Sequence, residues 1–166
     1  MDESTYKPTL EEEYILLGGP SGWWSICAVS DPTNWHHTQQ ADACWLDLDF
    51  DGSDWVALFC DTLGVFNFGA MQRIPVHNHE QKTAELSQLV ADTFEKATVQ
   101  YPMLRRMSDT YEDVIFAREE IMKLREECLA IKSVATKLEA IEAISTLVIA
   151  CDEALRLKYG LLFSCQ

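Results

Sequence analysis

From Met103 to Tyr159 the chain contains neither glycine nor proline. Those two residues are the strongest local punctuation a sequence has, and their absence over so long a stretch favours helix. Three helices are predicted here and just before it. The first covers about 80–100 and is stopped by Pro102. The second covers about 109–132, with Ser108 or Asp109 as N-cap. The third covers about 134–159, with Ser133 as cap and Gly160 as its C-terminal stop. Arg156 and Lys158 fall in its last turn, where positive charge suits the helix dipole.

The apolar spacing agrees. Val114, Ala117, Ile121, Leu124, Cys128 and Ile131 recur at intervals of three and four, and the third helix carries a second stripe of Leu138, Ile141, Ile144, Leu147, Val148, Cys151 and Leu155. Between Ala143 and Cys151 the third helix is apolar on nearly every side, so it is expected to be the most buried element. Two such stripes across a short polar turn imply an antiparallel helix pair; one long helix running through Ser133 is the alternative.

The first half has a different texture. Residues 1–13 form a polar, acidic lead-in. "YILLG" (Tyr14–Gly18), "WWSICAV" (Trp23–Val29), two runs at about 43–50 and 54–60, and "GVFNF" (Gly64–Phe68) have strand length and composition, with breakers between them. "RIPVHNH" is extended, because Pro75 disfavours helix at Ile74. Strands followed by helices imply an α+β fold. The expectation is one domain over residues 1–166, with an antiparallel sheet of four to six short strands (about 14–78) packed on a bundle of about three helices (about 80–159).

"CWLDLDFDGSDW", Cys44 to Trp55, opens in the manner of a calcium loop at Asp47-x-Asp49-x-Asp51-Gly52. A calcium loop counted from Asp47 needs a bidentate acid at its twelfth position, and that position is Leu58. Asp51-Gly52 is also a hairpin turn signal. In a hairpin, Leu46, Leu48, Phe50, Trp55, Ala57 and Phe59 share an apolar face. Ala43, Trp45, Asp47, Asp49, Val56, Leu58 and Cys60 share the other, rimmed by Asp42, Asp51, Asp54 and Asp61 with no base near. Apolar area ringed by charge of one sign is the composition of a binding surface. The competing explanation is that the protein's own N-terminal strands cover this second face.

Charge points the same way. The 166 residues carry a net −14, with twelve acids against one base (Lys7) in residues 1–61, and fifteen acids against eleven bases in residues 80–166. Nucleic acid and anionic membrane both require a cationic face, so neither is expected as a direct ligand; a basic protein is compatible. All five tryptophans (23, 24, 35, 45, 55) lie in the same first part, and tryptophan is a favoured anchor at interfaces.

Other chemistry is sparse. His77-Asn78-His79, with Glu80 or Glu85 following, resembles the first metal motif of cupins, which implies a metal site at His77 and His79; the glycine stands upstream at Gly69, and predicted helices occupy the place of the second half-barrel. A cysteine–histidine nucleophile pair, such as Cys60 with His77, is conceivable, but nothing flanks either residue to activate the thiol. Gly18-Gly19-Pro20 lacks the helix and lysine of a phosphate loop. Arg105 and Arg106 read as a helix-end feature. The six cysteines (27, 44, 60, 128, 151, 165) have no CxxC spacing, and the first thirteen residues are acidic where a signal peptide is basic, so all six are expected as reduced thiols in a cytoplasmic protein without cofactor.

The functional expectation is a non-enzymatic inhibitor. It would neutralise a basic partner such as a nuclease, a toxin or another nucleic-acid enzyme through Trp45, Asp47, Asp49, Asp51, Asp54, Asp31, Trp35 and Trp23, as immunity proteins and phage-encoded inhibitors do. The alternatives are a small metal-dependent enzyme using His77 and His79, and self-association through the helix pair.

Overall fold

The computed structural model describes residues 24–32, 43–48, 50, 52–63, 79–108 and 113–165. Along these residues run β1 (Trp24–Val29), β2 (Ala43–Leu48), α1 (Gly52–Leu63), α2 (His79–Gln100), α3 (Pro102–Met107), β3 (Val114–Phe116), α4 (Arg118–Val134), α5 (Leu138–Leu157) and β4 (Gly160–Cys165). The mixed α and β character expected from the sequence is present, mostly helical, with a small antiparallel sheet. Its strand order is β2-β1-β4-β3.

Three boundaries differ from expectation. The stretch 54–60 is not a strand of a hairpin but the body of α1. An apolar run this dense satisfies both periods, and tertiary packing decides. Here Trp55 and Phe59 stack one helical turn apart, with ring centroids at 5.7 Å. Phe50 meets Trp55 edge-on at 4.9 Å and Phe59 meets Phe94 of α2 at 6.2 Å. This aromatic ladder ties the end of β2 to both helices.

Secondly, the sheet is not confined to the first half. β3 interrupts the predicted second helix, so Val114 lies on a strand and Ala117 is the N-cap of α4. Val114, Ile115 and Phe116 are β-branched or aromatic and pair with Phe163, Leu162 and Leu161. The helix begins where the Glu120 carboxylate accepts the Ala117 N–H at 2.9 Å, with Glu119 and Glu120 both in the first turn. Ser108 closes α3 instead of capping α4.

Thirdly, the caps around α5 are not the predicted ones. Its N-cap is Lys137, while Ser133 bonds the Ala130 carbonyl inside α4. The helix ends at Lys158 in the left-handed region (φ 59°), and the Tyr159 N–H returns to the Ala154 carbonyl at 3.0 Å. Gly160 is not a helix stop. It opens β4, and a Cβ there would stand 2.5 Å from the Phe116 carbonyl oxygen and under 3 Å from Pro32, so close approach is what requires glycine.

α4 and α5 form the expected antiparallel pair across residues 135–137. Arg125 bonds Asp152 at 2.6 Å, and Cys128 lies within electrostatic reach of Cys151, so the sequence positions run in opposite senses. Ile121, Leu124, Cys128 and Ile131 are fully buried against Ala140, Ala143, Ile144, Leu147, Ala150, Cys151 and Ala154. The alanines let the two backbones approach. One face of the sheet, with Ile26, Leu48, Val114, Phe116, Leu161 and Phe163, closes the same core. The other face holds a smaller buried cluster of Cys27, Val29 and Leu162, with Ile115 against it.

Candidate functional site

β2 carries the two sequence-predicted site residues best placed by the backbone. Among the described residues it is an edge strand, joined to the sheet through β1. Asp47 stands opposite Ser25 and Leu46 opposite Ile26, but the next partner of β1, Cys27, stands opposite Cys44. Trp45 is therefore the extra residue of a β-bulge, two residues of β2 spanning one of β1. Bulges break the two-residue alternation and are enriched at sheet edges and beside functional sites. The alternation that grouped Ala43, Trp45 and Asp47 on one face does not run unbroken through this strand.

The remaining candidates are spread out. Asp31 is exposed in the turn that follows β1, and Asp54 is half-buried in the first turn of α1, where a carboxylate suits the helix dipole. Asp49, Asp51, Trp23, Trp35 and His77 lie outside the described residues. His79 is the first residue of α2, so an HxH pair sharing one face of a strand does not form with it. Val56, Leu58 and Cys60 are buried at 0–3% exposure, which removes them from the expected surface. The expected absence of nearby bases also fails. Lys137 pairs with Asp61 at 3.4 Å, and Arg118 donates to the Ser30 carbonyl beside Asp31.

Polar chemistry that the sequence did not single out serves the fold. Glu127 of α4 is buried, and its carboxylate accepts the Met103 N–H at 2.9 Å and the Leu104 N–H at 3.2 Å. It caps α3, whose own N-cap, Tyr101, supplies no side-chain bond. Burial pushes its carboxyl upward, and the two backbone bonds only partly offset this. The pair Arg105 and Arg106 does end a helix, as expected. Arg105 lies over the Phe94 ring at 4.3 Å. Arg106 lies over Phe116 at 4.4 Å while donating to Glu120 at 2.5 Å and the Ile115 carbonyl at 2.6 Å. Both guanidiniums are thus committed to internal partners.

The cysteines divide. Cys60, Cys128 and Cys151 are free and buried. Burial raises the Cys60 thiol to about 12, Thr93 being its hydrogen-bonding neighbour at 3.5 Å, so it is no activated nucleophile. Cys27 is disulfide-bonded, which corrects the expectation of six reduced thiols. Among the described residues no cluster of three or more His, Cys, Asp or Glu is placed to hold a metal ion, and no helix is long and apolar enough to cross a membrane.

No protein-family model matches this chain, and no curated protein or solved structure matches it.

Proposed function

We propose that the chain is a non-enzymatic binding protein that neutralises a basic protein partner, a nuclease, toxin or other nucleic-acid enzyme, through the acidic surface of its first 61 residues. The observation that carries this is the charge imbalance: twelve acids against one base there, within a net −14. Support comes also from Trp45 and Asp47 on an edge strand, the tryptophan at a bulge, with exposed Asp31 in the turn after the neighbouring strand. In the helical half, by contrast, Arg105, Arg106, Arg125 and Arg156 are engaged in internal contacts. An acidic field of this kind raises association rates with a cationic cleft and falls off over about 8–10 Å at physiological salt.

The test is affinity capture from the host or its competitor, with the bound protein identified and its binding followed against salt. Replacing Asp47 and Asp49 together by Asn should slow association and flatten the salt dependence, whereas Glu119→Gln on α4 should not. Equal effects from both, or a captured partner without a cationic surface, would sink the proposal. The cytoplasm is the proposed compartment. The free thiols of Cys60, Cys128 and Cys151 support it, and the bonded Cys27 weighs against it.

Self-association through the helix pair is a second reading, favoured by Leu138, Ile149 and Met122, which are 64%, 60% and 49% exposed on α5 and α4. Light scattering across a concentration series tests it; a monomer throughout would rule it out.

A further inference from the structure

Cys27 is disulfide-bonded, and Cys60, Cys128 and Cys151 are free. Cys44 and Cys165 are the cysteines that remain, one on each strand flanking β1. The registers separate them. Cys44 is directly opposite Cys27 across β1 and β2. Across β1 and β4, Leu162 is opposite Cys27, and Cys165 is opposite Trp24, three positions away.

Directly opposed residues of an antiparallel pair have Cα atoms about 4.5–5.5 Å apart, inside the roughly 4.4–6.8 Å that a disulfide spans. Three positions along a strand add about 10 Å, beyond the roughly 7 Å limit for bridging without backbone movement.

We infer that Cys27 and Cys44 form a cross-strand disulfide that fastens the edge strand β2 to β1 immediately beside the bulge at Trp45. The bond has a clear place in the fold. Among the described strands, β2 pairs with β1 alone, and the bulge interrupts the ladder between them where the bond is inferred. Its formation needs a disulfide oxidant, for which oxidised glutathione is the simplest class. One cysteine thiolate attacks glutathione disulfide and releases one glutathione. The second thiolate displaces the other from the mixed disulfide. Two thiol protons leave, two electrons reduce the oxidant to two glutathiones, and one S–S bond forms as one breaks. The free thiols do not compete readily: all three are buried, and burial holds each far above the ordinary thiol range, Cys60 and Cys151 at about 12.

The connectivity stands apart from the proposed binding role. It does imply that the strand bearing Trp45 and Asp47 is held differently in oxidised and reduced protein.

Peptide mapping of the full chain decides the matter. After equilibration with oxidised glutathione, free thiols are alkylated in denaturant without reductant and the protein is cut with chymotrypsin. Trypsin cannot separate the relevant cysteines, because no Lys or Arg lies between Lys7 and Arg73, whereas Trp35 lies between Cys27 and Cys44. A linked pair of peptides containing Cys27 and Cys44 is expected, two hydrogens lighter than the separate thiols, with Cys60, Cys128, Cys151 and Cys165 alkylated. Cys27 found alkylated, or linked to Cys165, overturns the inference. Reductant should lower the melting temperature of the wild type and leave that of Cys44→Ser unchanged. An equal shift in both would show that the bond does not fasten β2. Should Cys44→Ser fail to fold, the wild-type map decides alone, and Cys165→Ser must retain the Cys27–Cys44 linkage.

Discussion

Replacing Glu127 tests whether a buried carboxylate holds α3 to the helix pair. In Glu127→Ala the Met103 and Leu104 N–H groups lose their acceptor. A lost helix cap costs about 0.5–2 kcal/mol, and leaving a buried donor unpaired costs about 1–3 kcal/mol. These terms overlap, and a total near 2–4 kcal/mol is expected, or about 5–10 °C in melting temperature for a chain of this size. Glu127→Gln keeps an amide oxygen that can take over from Oε1, the atom bonded to both N–H groups, and should lose about 1 kcal/mol or less near neutral pH. The pH dependence sharpens the test. Burial raises the folded carboxyl above its unfolded value, so the folded state binds the proton more readily. That contribution to stability is fully present below the unfolded carboxyl range and is lost as pH rises through the folded value. The glutamine variant has no such loss. Urea melts between pH 5 and pH 8 should therefore show Glu127→Gln gaining on the wild type as pH increases. Equal destabilisation by Ala and Gln would refute the capping role. A wild-type advantage that grows with pH would refute the assignment of burial as the dominant influence.

Gly160→Ala should destabilise by about 1–3 kcal/mol, since the new methyl meets Pro32 and the Phe116 carbonyl, and that carbonyl cannot yield without disturbing the β3–β4 pairing; a neutral denaturation midpoint would show that the approach is looser than 2.5 Å. Cys60, Cys128 and Cys151 should resist alkylation in native protein at pH 8 and react at once in denaturant, because their thiols are buried and raised; native-state labelling followed by mass spectrometry reads this directly. In a complex with a basic partner, Trp45→Ala should speed dissociation and cost on the order of 2 kcal/mol if the bulge residue is an anchor. An unchanged off-rate would leave charge as the sole contributor.

The helices of the second half were legible because their stripes are long and periodic. Ile121, Leu124, Cys128 and Ile131 are buried as the spacing implies. β1 and β2 were legible from composition. α1 was not, because between Trp55 and Cys60 almost every position is apolar and no polar residue marks a period. β3 is three residues long and exists through its pairing with β4, and such long-range partnership leaves no local signature. Of the candidate site, the acidity and the tryptophans were visible, as was the placement of Asp47 and Trp45 on a strand. The bulge was not, because it is a property of the register between two strands. Glu127 escaped notice because one carboxylate on a helix reads as a solvated charge until α3 is seen above it.

β4 lies between β1 and β3, which are not neighbours in the sheet. Trp24 pairs with Cys165, so the centre of the sheet joins positions separated by most of the sequence. Closing so wide a loop is entropically costly and is repaid only when β4 docks. During synthesis the helix pair can form early from local contacts, while Ile26 and its neighbours wait for residues 160–165 to emerge. Until then an apolar strand face stays open to solvent, and this interval is when the nascent chain is most exposed to aggregation and most dependent on protection.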